Sequence, residues 1–121
     1  MSRLRLVLLL GLLALSLGPA PGEVGGCGAE VEEADAEAFC LAQSAWDCRR
    51  QEARGEIGAE DVQGCVDQSV VDCEGTNWPF TCQPFPTDRQ AQACIDQLSL
   101  ASNVDRAIAD IPECQLCGGG S

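Results

Sequence analysis

Histidine, lysine and tyrosine are absent from this chain of 121 residues, and its aromatic side chains are only two Trp and three Phe. Each absence closes a class of function. Without histidine there is no Ser-His-Asp or Cys-His nucleophile, no imidazole general base and no His-liganded zinc. The only cations are seven arginines, set against nineteen acids, for a formal net charge of −12. Phosphate binding needs a clustered basic surface, so a nucleic-acid partner is excluded. Roughly 120 residues make one domain and leave no room for a second. No cofactor is expected.

Cysteine is what the chain has in plenty, with nine residues. Where those cysteines go depends on the N-terminus. Arg3 and Arg5 precede an apolar run from Leu6 to Leu17, relieved only by small residues such as Gly11 and Ser16. That run is shorter than the ~20 residues a membrane-spanning helix needs. It has the length and the basic flank of a secretory signal. Gly18-Pro19-Ala20-Pro21-Gly22 then ends any helix. Residues 1–26 are therefore expected to be a signal peptide, 27–34 an acidic tether, 35–117 a cysteine-rich helical domain, and 118–121 a flexible tail.

Val24-Gly25-Gly26-Cys27 resembles the lipobox of bacterial lipoproteins: an aliphatic residue, two small ones, then Cys. The box lies several residues beyond the apolar run and follows Glu23, two departures from the usual pattern. Ala20-Pro21-Gly22 offers a rival site for ordinary signal peptidase. The resemblance implies that Cys27 carries a diacylglyceryl group and becomes the mature N-terminus, which makes a membrane the first expected partner. With Gly28 after it, the same resemblance implies an outer-membrane or cell-surface location. Parity agrees. With Cys27 acylated, Cys40, Cys48, Cys65, Cys73, Cys82, Cys94, Cys114 and Cys117 remain, an even set for disulfides. As a whole the chain resembles small cysteine-rich lipoproteins of high-GC Gram-negative bacteria, a group that implies no particular activity.

From Cys27 onward, eighteen acids face five arginines. Self-repulsion and scarce aromatics weaken the compact state. Each disulfide typically contributes ~2–4 kcal/mol, so the bridges are expected to decide whether the chain folds.

The expected fold class is all-α: a small disulfide-stapled helical bundle, built as a hairpin plus one or two further helices. Glu30-Val31-Glu32-Glu33-Ala34-Asp35 opens a first helix with acids where the macrodipole favours them. Phe39, Gln43, Trp46 and Arg50 share one face, Arg49, Arg50 and Arg54 occupy the last turns, and Gly55 ends the helix. Val62, Cys65, Val66, Ser69, Val70 and Cys73 give a second helix its apolar stripe, closed by Gly75. The segment from Asn77 to Pro86, with three prolines, reads as a loop whose aromatics lid the core. Thr87 and Gln90 form a capping box ahead of a third helix carrying Ala91, Cys94, Ile95 and Leu98. A short fourth helix is expected from Asn103 to Asp110, with Val104, Ala107, Ile108 and Ile111 inward, stopped by Pro112. A faint repeat relates Gln63–Gln68 to Gln92–Gln97 at a period of 29.

Cys40 and Cys48 lie eight residues apart, as do Cys65 and Cys73, so each pair falls roughly on one helix face. Two helices joined by a moderate connection pack antiparallel. This suggests rungs Cys40–Cys73 and Cys48–Cys65. Cys114 and Cys117 are then expected to reach back to Cys82 and Cys94, one each. The Cys114-Gln115-Leu116-Cys117 motif also admits two other uses. A thioredoxin-type site would need a strand before it and a helix after it. Zinc would need four thiolates, such as Cys82, Cys94, Cys114 and Cys117, in a compartment that favours disulfides. The expected function is a non-enzymatic, lipid-anchored envelope protein with a structural or binding role. Alternatives are a soluble secreted acidic effector or inhibitor acting on a basic partner, and a thiol–disulfide exchanger using Cys114 and Cys117.

Overall fold

The structure, a computed structural model, describes residues 31–118. The signal segment, the lipobox-like residues with Cys27, and the last three residues of the tail lie outside the described residues. Within them the chain is all-α, with three helices and a series of 3₁₀ turns.

Helix α1 runs Ala36–Ala53. Asp35 caps it, its carboxylate accepting from the Ala38 N–H at 2.8 Å. Glu32 and Glu33, just ahead of Asp35, are not helical. At the other end Gly55 adopts φ +74°, open to glycine at little cost. It donates to the Glu52 carbonyl while Glu56 N–H reaches the Gln51 carbonyl, and the pair of bonds closes the helix. Helix α2, Val62–Cys73, returns antiparallel after a 3₁₀ turn, Ala59–Asp61. Helix α3 is Asp88–Leu98. The Thr87 hydroxyl accepts from the Gln90 N–H at 3.2 Å, and the Gln90 side chain accepts from the Thr87 N–H at 2.9 Å, a complete capping box. The repeat has a local counterpart: Gln63 donates to Asp67 at 2.8 Å and Gln92 to Asp96 at 2.7 Å, the same i, i+4 bond on α2 and α3.

Four disulfides tie these elements. Cys40–Cys73 and Cys48–Cys65 are two rungs between α1 and α2. Cys94–Cys114 joins α3 to the C-terminal turns, and Cys82–Cys117 joins the Pro-rich loop to the segment beyond them. The apolar core is small. Cys94, Leu98 and Ile111 are fully buried at its centre, with Phe39, Trp46, Ile95, Ile108 and Cys114 packed around them. Cys48, Cys73 and Cys82 are buried as well, so sulfur fills a large part of the interior.

Two expectations are corrected, and the described end of the tether packs on the domain. The fourth helix does not form as an α-helix. Residues 101–114 make separate 3₁₀ turns at Ala101–Asn103, Ile108–Asp110 and Pro112–Cys114. The carbonyls of Asn103, Val104 and Arg106, which a continuous helix would have used internally, accept instead from the Arg50 guanidinium. Ile111 is inward, but Ala107 is exposed. Ala34 is buried, its N–H donates to the Pro86 carbonyl at 2.9 Å, and Asp88 N–H donates to the Glu32 carbonyl at 3.0 Å. Glu33 and Thr87 thereby form an antiparallel bridge. Finally, Phe80 does not lid the core and is 94% exposed. Cys82 N–H bonds back to the Pro79 carbonyl at 2.8 Å, and Cys82 points inward to its disulfide. The tip of that turn, with Phe80, is left facing solvent.

The bridges close segments of 17 to 35 residues, for which chain entropy gives ~3–4 kcal/mol each. Replacing Cys48 and Cys65 together by Ser should lower the unfolding free energy by ~3 kcal/mol, read in guanidinium as a lower midpoint with a steeper slope, since the released unfolded chain exposes more surface. Full reduction with dithiothreitol should abolish cooperative unfolding altogether.

Candidate functional site

The eight cysteines of the domain are brought together in pairs, and this decides what Cys114 and Cys117 can do. The two residues do not bond to each other. Cys114 is held by Cys94 and Cys117 by Cys82, on separate elements. A CxxC exchanger cycles through a disulfide within its own motif, with the attacking thiolate at a helix N-terminus. Here Cys114 closes a 3₁₀ turn and no helix follows it among the described residues. The partner sulfurs belong to the fully buried Cys82 and Cys94. The four residues weighed as a zinc tetrad are likewise bridged as two disulfides. No other group of three or more Cys, Asp or Glu side chains is placed to hold a metal among the described residues.

A second feature is the arginine anchor between α1 and the C-terminal turns. Arg50 is only 3% exposed. Its guanidinium donates to the carbonyls of Asn103 at 3.0 Å and Arg106, with a longer contact to Val104. Asp47 lies 3.5 Å away as counter-ion. Arg50 Nε has no hydrogen-bond partner among the described residues. Arg54 adds a bond to the Val104 carbonyl at 2.8 Å. The buried Asn103 amide completes the junction, donating to the backbone and side chain of Gln97 at 3.0 and 3.1 Å. Sequence reading placed Arg50 among dipole-matching charges of the last turn. The signal that it is buried was its place on the same helix face as Phe39 and Trp46.

At the surface, Arg54 also pairs with Glu56 through bonds of 2.7 and 2.9 Å. The side-chain hydrogen bond holds the Glu56 carboxyl below the usual range and raises Arg54. The resulting stabilisation is present above the unfolded pKa of Glu56 and is lost as pH falls through its lower folded value. It is small and screened by salt.

The third feature is a groove of about 590 Å³ where the start of α1 meets the loop after α2, lined by Glu33, Asp35, Glu37, Trp78, Phe80 and Phe85 among others. Its walls are held from several directions. The Trp78 indole N–H donates to the Ala34 carbonyl at 2.7 Å, and the ring packs on Phe39 with centroids 5.6 Å apart. Glu37 accepts from the Gly75 N–H at 3.0 Å, where φ is +71°. By sequence these acids belong to the tether and the start of the first helix, and the aromatics to a lid over the core. The fold brings both sets to one rim. Trp46 is not part of it; it packs on the core and carries Arg49 over its face at 4.8 Å.

No family model, curated protein or solved structure matches this chain. What the domain can do is therefore argued from its own geometry: a small all-α body, cross-linked by four disulfides, of the kind built for an oxidising, extracellular environment.

The arginine anchor makes a direct test of this architecture. Arg50→Ala, which takes the guanidinium away from the Asn103 and Arg106 carbonyls and from Asp47 and leaves a cavity at a buried site, should destabilise the oxidised protein by about 3 kcal/mol. Arg49→Ala, one residue away at the surface, should change stability by less than about 1 kcal/mol. Guanidinium denaturation of both variants checks the difference.

Proposed function

We propose that the protein is exported and held at a membrane surface by a lipid on Cys27, where its cysteine-rich domain serves a structural or binding role rather than catalysis. The carrying observation is the closed pairing of the eight cysteines from Cys40 to Cys117. It leaves Cys27, the odd ninth cysteine, without a partner among them. That residue stands in the lipobox-like Val24-Gly25-Gly26-Cys27, behind an apolar run with a basic flank. Among the described residues no helix is long and apolar enough to cross a membrane. A covalent lipid is the device this reading uses for anchorage, each buried methylene contributing ~0.8 kcal/mol. The location that follows from Gly28 is the outer membrane or cell surface.

A second reading, a soluble secreted acidic effector or inhibitor, is favoured by one observation: the acidic, aromatic-lined groove suits a basic partner. It differs from the first in the fate of the N-terminus. The thiol-exchange reading is the weakest, because Cys114 and Cys117 are each bonded to a different buried cysteine.

Phase partitioning in Triton X-114 and intact mass test the anchor. The wild-type protein expressed in a Gram-negative host should enter the detergent phase, begin at Cys27 and carry acyl mass. Cys27→Ser should move it to the aqueous phase. A wild-type protein that is aqueous and begins upstream of Cys27 would replace the first reading by the second. Alkylation of the native protein should find no free thiol in the domain.

A further inference from the structure

We propose that the groove between the start of α1 and the Pro-rich loop docks an arginine-bearing basic segment of a partner polypeptide. This deepens the binding role proposed above and rests on it, but not on the lipid.

The first support is charge. Glu33, Asp35 and Glu37 are exposed along the groove, and no arginine lines it. Asp35 uses Oδ1 on the Ala38 N–H and Glu37 uses Oε2 on the Gly75 N–H, so each keeps a second carboxylate oxygen. The whole chain carries −12, a field that draws cations to the surface. The second support is aromatic placement. The chain has five aromatic residues, and three of them, Trp78, Phe80 and Phe85, line this one groove. Only Phe39 and Trp46 pack on the core. Phe80 is 94% exposed, an apolar ring that contributes little to the fold.

Together these groups match one chemistry. A guanidinium is planar, stacks on an aromatic face and pairs with a carboxylate through a fixed fork of donors. An anionic or purely apolar ligand would leave the carboxylates opposed or unpaired. The groove is also preorganised. Cys82–Cys117, the indole bond to Ala34 and the Ala34–Pro86 backbone bond hold both walls in place. Binding then requires little ordering of the protein.

The test uses the exported, oxidised protein in a Cys27→Ser background, so that anchor and groove are read separately. A labelled arginine–glycine peptide is titrated by fluorescence anisotropy, alongside the same peptide with citrulline for arginine. The arginine peptide should bind, more weakly as salt rises, and the citrulline peptide should not. Phe80→Ala should weaken binding about five-fold, the size of an exposed cation–π contact. Glu33→Gln should weaken it about three-fold, as for a surface ion pair. Neither side chain supports the fold, and circular dichroism with a thiol count confirms that each variant is intact. Equal binding of wild type and Phe80→Ala would overturn the proposal in favour of diffuse attraction to a polyanion. Equal binding of the citrulline peptide would overturn it in favour of an apolar site. No peptide binding, with phosphatidylcholine vesicles bound through Phe80 instead, would overturn it in favour of a membrane contact.

Discussion

Four covalent bonds between sulfurs do in this domain what a hydrophobic core does in most. The fully buried apolar centre is three residues, Cys94, Leu98 and Ile111, and one of those is a half-cystine. A cluster of that size cannot by itself offset the ordering entropy of some ninety residues. The bridges act on the other side of the balance by restricting the unfolded chain. Their placement is also economical of structure. Two rungs fix α1 on α2, one fixes α3 to the C-terminal turns, and one fixes the Pro-rich loop to the segment that follows those turns. Each α-helix, the Pro-rich loop and the last 3₁₀ turn is thereby attached to a neighbour.

The polar junction at Arg50 complements the sulfur. The bridges hold α1 to α2 and α3 to the last turns, while Arg50 and Arg54 bind α1 directly to residues 103–106. A guanidinium presents several donors in one plane and can satisfy several carbonyls at once. That explains why the segment from 101 to 114 breaks into turns. Its backbone acceptors face an external donor, and a helix would have turned them back on itself. Asn103, buried and bonded to Gln97, fixes the first of those turns.

Much of this was legible in the sequence, and for identifiable reasons. The spacing of eight between Cys40 and Cys48, repeated between Cys65 and Cys73, carries the two hairpin rungs because helical periodicity is a local property. Thr87 and Gln90 mark the start of α3 because a capping box is complete within four residues. What local patterning could not show was any contact between distant segments. Asn103 to Asp110 has a plausible helical spacing, and only the approach of Arg50 from more than fifty residues away reverses it. Ala34 reads as part of an acidic leader, and only its pairing with Pro86 makes it an anchor point. Phe80 carries no mark of exposure; its orientation follows from Cys82, two residues on, being drawn inward to Cys117.

The same constraint accounts for the groove. A domain held by its apolar core must keep its few aromatics inside, since each contributes a large part of the burial. Cross-linking lifts that requirement. With Cys82 tied to Cys117 and Trp78 bonded to the Ala34 carbonyl, the loop from Gly75 to Pro86 keeps its shape without Phe80. The chain can then carry an exposed ring beside three carboxylates on a rigid rim, an arrangement that would be a liability on a loop free to collapse. The net charge works in the same direction. Repulsion among nineteen acids would loosen a weakly packed chain, but covalent bridges do not weaken with charge. Stapling thus separates the question of what holds the domain together from the question of what its surface can present.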